Sequence, residues 1–247
     1  MDAGLYALPI IAFLAFLLKA VSGFGPAIIV VALGAMILPP HSVVPLSSLL
    51  DVTAGSLLLM MDPAVKGKKF LLALSLAMVI GAVLGGFSLR VLSPDLFRYV
   101  LGGGIILLSV WFGIWRAGGN KPGLVDTVPE KFSAMDIGMS AFAGFCGGFL
   151  GITGPPVLWH LGRRFAKETL RKMLIPIFLA AAVARSLTYA AAGMVDTGVL
   201  QCYLVSLPGL FLGIYVGNRV FFRISETTFS RLIGGMLLLA GMRLLIP

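Results

Sequence analysis

Three ionisable residues lie within or at the edge of long apolar stretches of the sequence: Lys19, Asp51 and Arg185. A charged group at the centre of a membrane-spanning helix costs about 2.5–3.5 kcal/mol on insertion scales, so such a residue is expected to face a cavity or an oppositely charged partner. The guanidinium of Arg185 is suited to bind a sulfonate or a carboxylate through paired hydrogen bonds. We interpret Arg185 as an anion-binding residue. The alternative is a structural ion pair with Asp51, and both roles can hold in different states.

Asp51 lies at the centre of the apolar segment 43–61, and two roles are open for it. Burial favours the protonated form of a carboxyl group, whereas a nearby cation favours the ionised form. Asp51 is therefore either the carrier of a coupling proton or a charge-balancing partner. Lys19 lies near the end of the apolar segment 5–21, just before the first interruption, where its side chain either extends to the membrane surface or attracts an anion.

A second signal is a phrase of small residues followed by proline, which occurs twice within apolar sequence. The copies are Ser22-Gly23-Phe24-Gly25-Pro26 and Gly151-Ile152-Thr153-Gly154-Pro155-Pro156. Glycine and proline interrupt helices, and an interruption in lipid is tolerated only where protein or a watery cavity covers it. Interrupted segments at matching points of two halves indicate the binding site of a transporter. The alternative is that the glycines serve only the packing of helices against one another.

Each phrase predicts the start of a helix, at Pro26 and at Pro155, because proline suits the first helical turn. A helix N-terminus exposes N–H groups and partial positive charge, which suit an oxyanion. The hydroxyls of Ser22 and Thr153 either contact a ligand or cap these helices. Candidate substrate-binding residues lie at the phrases and within about one helical turn of the buried charges. They are Lys19, Ser22, Gly23, Gly25, Ser47, Ser48, Thr153, Gly154, Arg185, Ser186 and Tyr189, with Asp51 in coupling or charge balance.

Composition identifies an integral membrane protein, since 59% of the residues are hydrophobic and only 12% are charged, against about 25% charged in soluble domains. The apolar stretches are continuous, which favours helices over a β-barrel. The net charge of +9 is explained by positively charged cytoplasmic loops, so we expect no nucleic-acid partner. We also expect no removable signal peptide, cofactor, bound metal or catalytic residue. His160 is expected to be packed or hydrogen-bonded rather than a ligand, and Asn218 to cap or bridge helices.

The two halves of the chain resemble each other. At one fixed offset Gly81 falls on Gly213, Gly85 on Gly217, Ser93 on Ser225 and Phe97 on Phe229; with small gaps, Gly25-Pro26 meets Gly154-Pro155. We therefore predict an all-α polytopic membrane protein built as a repeat of residues 1–116 and 134–247, with a linker at 117–133. Each half has an interrupted pair, at 5–38 or 135–162, and three transmembrane helices. These helices are 43–61, 70–91, 96–115, 172–193, 199–218 and 227–246.

Loop charges favour an arrangement in which each interrupted pair is a hairpin that enters and leaves on one side. The basic residues of 66–69, 116–131, 163–172 and 219–223 then share one face, in agreement with the positive-inside bias. The halves become an inverted repeat with both termini outside. A helix over 26–38 would be roughly 20 Å long, too short for a hydrocarbon core of about 30 Å. Segment 5–21 is nearly long enough to cross, so a full crossing there stays open.

These residues resemble the TauE/SafE family of membrane permeases, the sulfite exporters. The resemblance is carried by the first phrase with Ile28-Ile29-Val30-Val31, by Gly147-Gly148-Phe149-Leu150-Gly151-Ile152-Thr153-Gly154-Pro155-Pro156, by Arg185 and by Ala192-Gly193. The first phrase differs from the more usual run of consecutive glycines, having Phe24 and Pro26 within it. The resemblance implies a secondary transporter of sulfite or an organosulfonate such as sulfoacetate, an exporter in the bacterial inner membrane.

Two other classes are weighed against a transporter with alternating access. An anion channel or uniporter would use the same site without alternating access. An intramembrane hydrolase would need a dyad such as Ser22 with His160, but the sequence context of a nucleophilic serine is missing. The chain has no GxxxxGK[ST] phosphate-binding motif, so ATP-driven transport by this chain is not expected. The sequence leaves the oligomeric state open.

Overall fold

A computed structural model describes residues 3–22, 26–61, 67–91, 127–162 and 164–220, together with 93, 96, 99–104 and 106–107. These residues are mainly helical, and no strand occurs among them, which confirms the all-helical prediction. Eight helices are named here: α1 Ala3–Ser22, α2 Pro26–Gly34, α3 Pro40–Met61, α4 Lys68–Val91, α5 Ala134–Leu150, α6 Gly154–Leu161, α7 Lys167–Ala191 and α8 Thr197–Val220. The predicted helix 227–246 and much of 96–115 lie outside the described residues.

Four of these helices are long and apolar enough to cross a membrane by length and composition, namely α3, α4, α7 and α8. Two others, α1 and α5, contain shorter apolar stretches, Tyr6–Ala20 and Ala134–Leu150. The helix α2 has 9 residues and α6 has 8. At 1.5 Å per residue both are far shorter than the hydrocarbon core of a bilayer. The chain therefore combines spanning helices with short ones that follow its two small-residue phrases.

Three predicted boundaries need correction, and the first is that α3 begins at Pro40 rather than at 43. The helix α7 begins at Lys167 rather than at 172, because part of the predicted basic loop is helical and Glu168 pairs with Lys172 one turn later at 2.8 Å. The helix α2 ends at Gly34, and turns rather than a helix follow as far as residue 38. The helix α7 ends at Ala191, shortly before the predicted end at 193, and Gly193 has φ 72°, a left-handed conformation that favours glycine.

Two pairs of helices approach so closely that only glycine fits between them. On both sides of the α4–α5 contact, a Cβ atom would overlap a backbone carbonyl of the facing helix. The glycines are Gly81 and Gly85 on α4, and Gly144 and Gly148 on α5. The same holds for α8, where Gly209 and Gly213 face the carbonyls of Pro9 and Phe13 on α1. Small residues at such spacing allow close backbone packing in membranes.

The packing is reciprocal between the two halves of the chain. The helix α1 of the first half packs on α8 of the second, and α5 of the second half packs on α4 of the first. Contacts between α3 and α8 are matched by contacts between α7 and α4, while α3 and α7 meet each other. The halves are therefore interleaved around α3 and α7, the two helices that carry Asp51 and Arg185.

The second small-residue phrase joins α5 to α6. The helix α5 begins with a capping box, in which the Ser133 hydroxyl accepts from the amide of Asp136 and the Asp136 carboxylate accepts from the amide of Ser133. It ends at Gly151, whose φ of 78° lets the chain turn away. The helix α6 then begins at Gly154, one residue before the predicted start, with prolines in its first turn. The capping role considered for Thr153 is wrong, because its side chain makes no capping hydrogen bond.

Candidate functional site

Asp51 lies between the two cations that the sequence singles out. One carboxylate oxygen, Oδ1, accepts from Nζ of Lys19 at 2.7 Å, and the other, Oδ2, accepts from Nη2 of Arg185 at 3.0 Å. The predicted ion pair between Asp51 and Arg185 is therefore present. The three residues, called the buried cluster below, come from α1, α3 and α7. Three helices far apart in the sequence are thereby connected at one point.

All three side chains are removed from solvent in the monomer. The exposed fractions are 4% for Lys19, 7% for Asp51 and 1% for Arg185. The alternative in which Lys19 extends to the membrane surface is wrong, because its ammonium group turns inward to Asp51. Two cations share a single carboxylate, so the cluster as ionised carries one net positive charge. The excess positive charge makes the cluster attractive to an anion.

Arg185 also contacts the end of α5, where the second small-residue phrase begins. Its Nη1 donates to the carbonyl oxygens of Gly147 at 3.1 Å and Gly151 at 3.4 Å. The remaining donor, Nε, is buried and has no hydrogen-bond partner in the described structure. A buried donor without a partner is costly, and an incoming oxyanion would satisfy it. The guanidinium thus connects Asp51 to the turn at Gly151 and retains one unused donor.

The turn at Gly151 lies against the first half of the chain. A Cβ atom placed on Gly151 would come within 2.8 Å of a methyl group of Val31 and 3.5 Å of the Ser47 hydroxyl oxygen. Val31 belongs to α2, the helix that follows the first small-residue phrase, and Ser47 to α3. The structure therefore brings the second phrase together with the helix that follows the first one.

The polar side chains predicted beside the charges are close to them but are engaged with protein groups. Ser186 donates to the hydroxyl of Ser48 at 3.0 Å, which links α7 to α3 one turn from the buried cluster. Ser47 and Ser48 donate to backbone carbonyls within α3. The Tyr189 hydroxyl donates to the carbonyl of Gly148 at 2.6 Å, so this ring holds α7 against α5.

The first phrase is only partly described. Gly23 and Gly25 lie outside the described residues, and of Ser22 the structure gives the helical backbone alone. Thr153 is buried and Gly154 is the first residue of α6, next to the turn at Gly151. Of the predicted site residues with described side chains, Lys19, Asp51 and Arg185 are joined by ion pairs. Ser48 and Ser186 form a separate hydrogen bond nearby, and Ser47 lies near Gly151.

A second ionic group, not predicted from the sequence, surrounds Asp136 in the first turn of α5. Its Oδ1 lies 2.6 Å from Nε2 of His160, at the end of α6, and 2.5 Å from Nη1 of Arg164. With Ser133 these residues are called the basal cluster. Burial raises the pKa of Asp136. Hydrogen bonds from Ser133 and His160, together with the charge of Arg164, lower the pKa by more than burial raises it, so the pKa lies below its usual 3.8. The prediction that His160 is hydrogen-bonded is confirmed.

Two signals in the sequence could have indicated these contacts. Ser133 followed three positions later by Asp136 is the pattern of a capping box before an apolar run. Lys19 and Arg185 are the deep cations and Asp51 the deep acid, so charge balance alone favours a shared partner.

Asn218 bridges helices as predicted, accepting from Arg171 at 2.8 Å. Within the described ranges no group of three His, Cys, Asp or Glu side chains is placed to hold a metal ion.

Helices able to cross a membrane, packed around a buried ion cluster, define a multi-pass membrane protein. The family described as sulfite exporter TauE/SafE matches residues 8–244, and the chain belongs to this family. Its members are transporters and not enzymes. The "Probable sulfite/organosulfonate exporter TauE" of Cupriavidus necator is 28% identical over 107 residues, 43% of this chain and 42% of that protein. The chain thus matches less than half the length of this curated relative. No solved structure matches the chain.

Proposed function

We propose that this protein is a secondary transporter that exports sulfite or an organosulfonate such as sulfoacetate across the inner membrane of a bacterium. The observation that carries the proposal is the buried cluster, in which two buried cations share one carboxylate and Arg185 keeps an unused donor. Family membership and the name of the curated relative supply the sulfur chemistry.

Binding is a competition between the substrate and Asp51 for the two cations. The carboxylate occupies Arg185 Nη2 and Lys19 Nζ in this state. A sulfonate or sulfite oxygen can take over the guanidinium, because planar N–H donors pair well with such oxyanions. The Nε donor then gains a partner, and the N–H groups near Gly154 add partial positive charge. In this proposal the bound substrate is surrounded by Ser47, Ser48, Thr153, Ser186 and Tyr189. The first small-residue phrase lies on the other side of the substrate.

The reciprocal packing supports two halves related as an inverted repeat, 1–116 and 134–247. Gly81 faces the backbone of Ala141 and Phe145, whereas Gly213, its repeat counterpart, faces Phe13 and Leu17. Phe13 therefore corresponds to Ala141 in the repeat, and this offset is within one position of the offset that aligns Gly25 with Gly154. Two halves that use equivalent backbone contacts can exchange their packing, which is the basis of alternating access around a midplane site.

The basal cluster supports the hairpin arrangement of the second half. Asp136 at the start of α5 contacts His160 at the end of α6, so the chain returns to the side from which it entered. In the proposed topology both hairpins are re-entrant, the basic loops share the cytoplasmic face and both termini are outside. Single cysteines placed at positions 66 and 167 should then both react with a reagent confined to the cytoplasmic side. Reaction from opposite sides would contradict this topology.

Transport by purified protein in liposomes tests the function. We expect sulfite or sulfoacetate to accumulate against its gradient when a proton gradient is applied. Arg185→Ala should reduce this flux at least tenfold, since one lost charged contact is worth about 1.5–3 kcal/mol. Arg219→Ala is the matched control, because Arg219 stacks on Tyr215, with 4.4 Å between its guanidinium carbon and the ring centroid, outside the buried cluster. Equal fluxes in the two variants would contradict the site.

The second candidate function is an anion channel or uniporter that uses the same residues. It is favoured by the same buried cations and differs in requiring no alternating access. Voltage-driven flux that saturates weakly and never runs against the substrate gradient would identify it. Uphill, proton-dependent flux would support the carrier instead.

A further inference from the structure

The net charge of the buried cluster matches the charge of some substrates and not of others. Lys19 and Arg185 contribute two positive charges and Asp51 one negative charge. In the described part of the chain, the ion pairs of both cations are made with Asp51 alone. A singly charged anion would bring the group to neutrality, whereas a doubly charged anion would leave a buried negative charge. Uncompensated charge in a low-dielectric environment is unfavourable.

We propose that Asp51 adjusts the charge of the site to the charge of the substrate. A singly charged anion binds while Asp51 stays ionised, and a doubly charged anion binds together with one proton on Asp51. This inference rests on the proposed function, because it assumes that small sulfur oxyanions bind at the buried cluster. Whether a proton accompanies the substrate then depends on the charge of the substrate as well as on the protein.

The contacts of Asp51 allow the substrate to replace the carboxylate at both cations. Each carboxylate oxygen is held by one cation, so an anion that takes over both cations releases both oxygens. A released carboxylate, still buried, then takes up a proton from water when the new anion carries two charges. The donor Nε of Arg185 has no partner to give up before it binds the incoming oxyanion. Charge is conserved, since one proton enters for each extra negative charge.

Few other titratable groups lie near Asp51 on the helices packed against α3. Beyond Lys19 on α1 and Arg185 on α7, the helix α7 carries the buried Tyr189, whose hydroxyl donates to the carbonyl of Gly148. The helix α8 places the Tyr203 hydroxyl 2.7 Å from Thr53, two positions from Asp51. Cys202 on the same helix is a free thiol. The helix α2 carries no ionisable side chain. Asp51 is therefore the acid of the site that can accept the proton.

Two probes of nearly the same shape test the inference. Sulfoacetate carries two negative charges, and its amide, sulfoacetamide, replaces the carboxylate by an uncharged group and carries one. Binding of each to the purified full-length protein is measured by calorimetry between about pH 6 and pH 8, where both charges of sulfoacetate persist. Affinity for sulfoacetate should fall about tenfold per pH unit, as uptake of one proton requires. Affinity for the amide should change less than about twofold over the same range.

Variants of Asp51 provide the second arm. Asp51→Asn leaves two fixed positive charges, so sulfoacetate should bind without pH dependence and more tightly than its amide. If this variant does not fold, Lys19→Met with Asp51→Asn keeps one positive charge and should favour the amide at every pH. Asp196→Asn is the control, because Asp196 accepts from the amide of Val199 and asparagine can replace it there. It should retain the wild-type pH dependence.

The outcomes separate the two proposals. If neither probe binds the wild-type protein while folding is intact, the proposed substrate class is wrong and this inference fails with it. If both probes bind with the same pH dependence, the proposed function stands and the charge-matching role of Asp51 is overturned. Loss of the pH dependence in Asp196→Asn would overturn it as well. A pH slope present only for sulfoacetate, and absent in the Asp51 variants, supports it.

Discussion

The buried cluster and the basal cluster each place one aspartate between two basic side chains, yet they differ in construction. The buried cluster draws its members from α1, α3 and α7, and all three are shielded from solvent. The basal cluster lies within one hairpin and the turn that follows it, and its Arg164 side chain is 41% exposed. One therefore joins the two halves of the chain, while the other closes a single hairpin.

An aspartate between two basic side chains therefore has different energetic consequences at different depths. In the basal cluster, solvent can screen Arg164, and the helix N-terminus supplies further donors to Asp136. In the buried cluster solvent is excluded, and the two cations have a single carboxylate to compensate them. An ion pair in this setting is weak evidence for stability.

The largest expected effect follows removal of the buried acid. Asp51→Ala leaves Lys19 and Arg185 without their carboxylate, and breaking a buried pair from one side costs about 3–5 kcal/mol. We expect a large fall in the thermal unfolding midpoint of the purified protein in detergent. The compensated triple variant Lys19→Met, Asp51→Leu, Arg185→Met should recover most of the lost stability. Wild-type stability in Asp51→Ala would show that the two clusters do not differ in this way.

A smaller effect is expected for the acid of the basal cluster. Asp136→Ala removes the side-chain acceptor of the capping box and the partner of His160. The loss of a cap costs about 0.5–2 kcal/mol, and no cation is left in a solvent-free environment. The same unfolding measurement, made beside Asp51→Ala, compares the clusters directly. An equal or larger loss for Asp136→Ala would reverse their order.

The pH dependence of stability distinguishes wild type from Asp136→Asn. Because the folded-state pKa of Asp136 lies below the usual 3.8, the ionised carboxylate stabilises the fold at pH values above 3.8. This contribution decreases as the pH falls below 3.8 towards the folded-state pKa, since protonation then becomes common in both states. The stability difference between wild type and Asp136→Asn should therefore be full at neutral pH and shrink in acid. A difference that grows on acidification would contradict the lowered pKa.

Much of the fold could be predicted from the sequence because hydrophobic segments and helix breakers are local signals. The start of α2 at Pro26 and the end of α7 before Gly193 follow from such signals. The boundary at Lys167 could not be predicted by the same reasoning. A segment rich in charged residues is typical of a loop. Here, however, Glu168 and Lys172 are one helical turn apart and pair along a helix.

The site was predicted less completely, because a contact between distant segments leaves no local trace. The pair of Asp51 with Arg185 follows from charge balance in an apolar segment. That Lys19 shares the same carboxylate depends on how the contacts of α1 with α2 and α8 place it beside α3, which hydropathy does not encode. The serine bond between Ser48 and Ser186, and the buried Nε of Arg185, likewise depend on the assembled helices.

The smallest expected effect concerns the exposed cation of the basal cluster. Arg164→Gln removes one contact of Asp136 but leaves the hydrogen bonds from Ser133 and His160 in place. Exposed ion pairs contribute about 0–1 kcal/mol, and salt screens them. The loss of stability should therefore stay below about 1 kcal/mol and disappear at high salt. The stability loss of Asp51→Ala should persist in the same salt series, because its charges are buried. Matching salt sensitivities would mean that depth does not separate the two clusters.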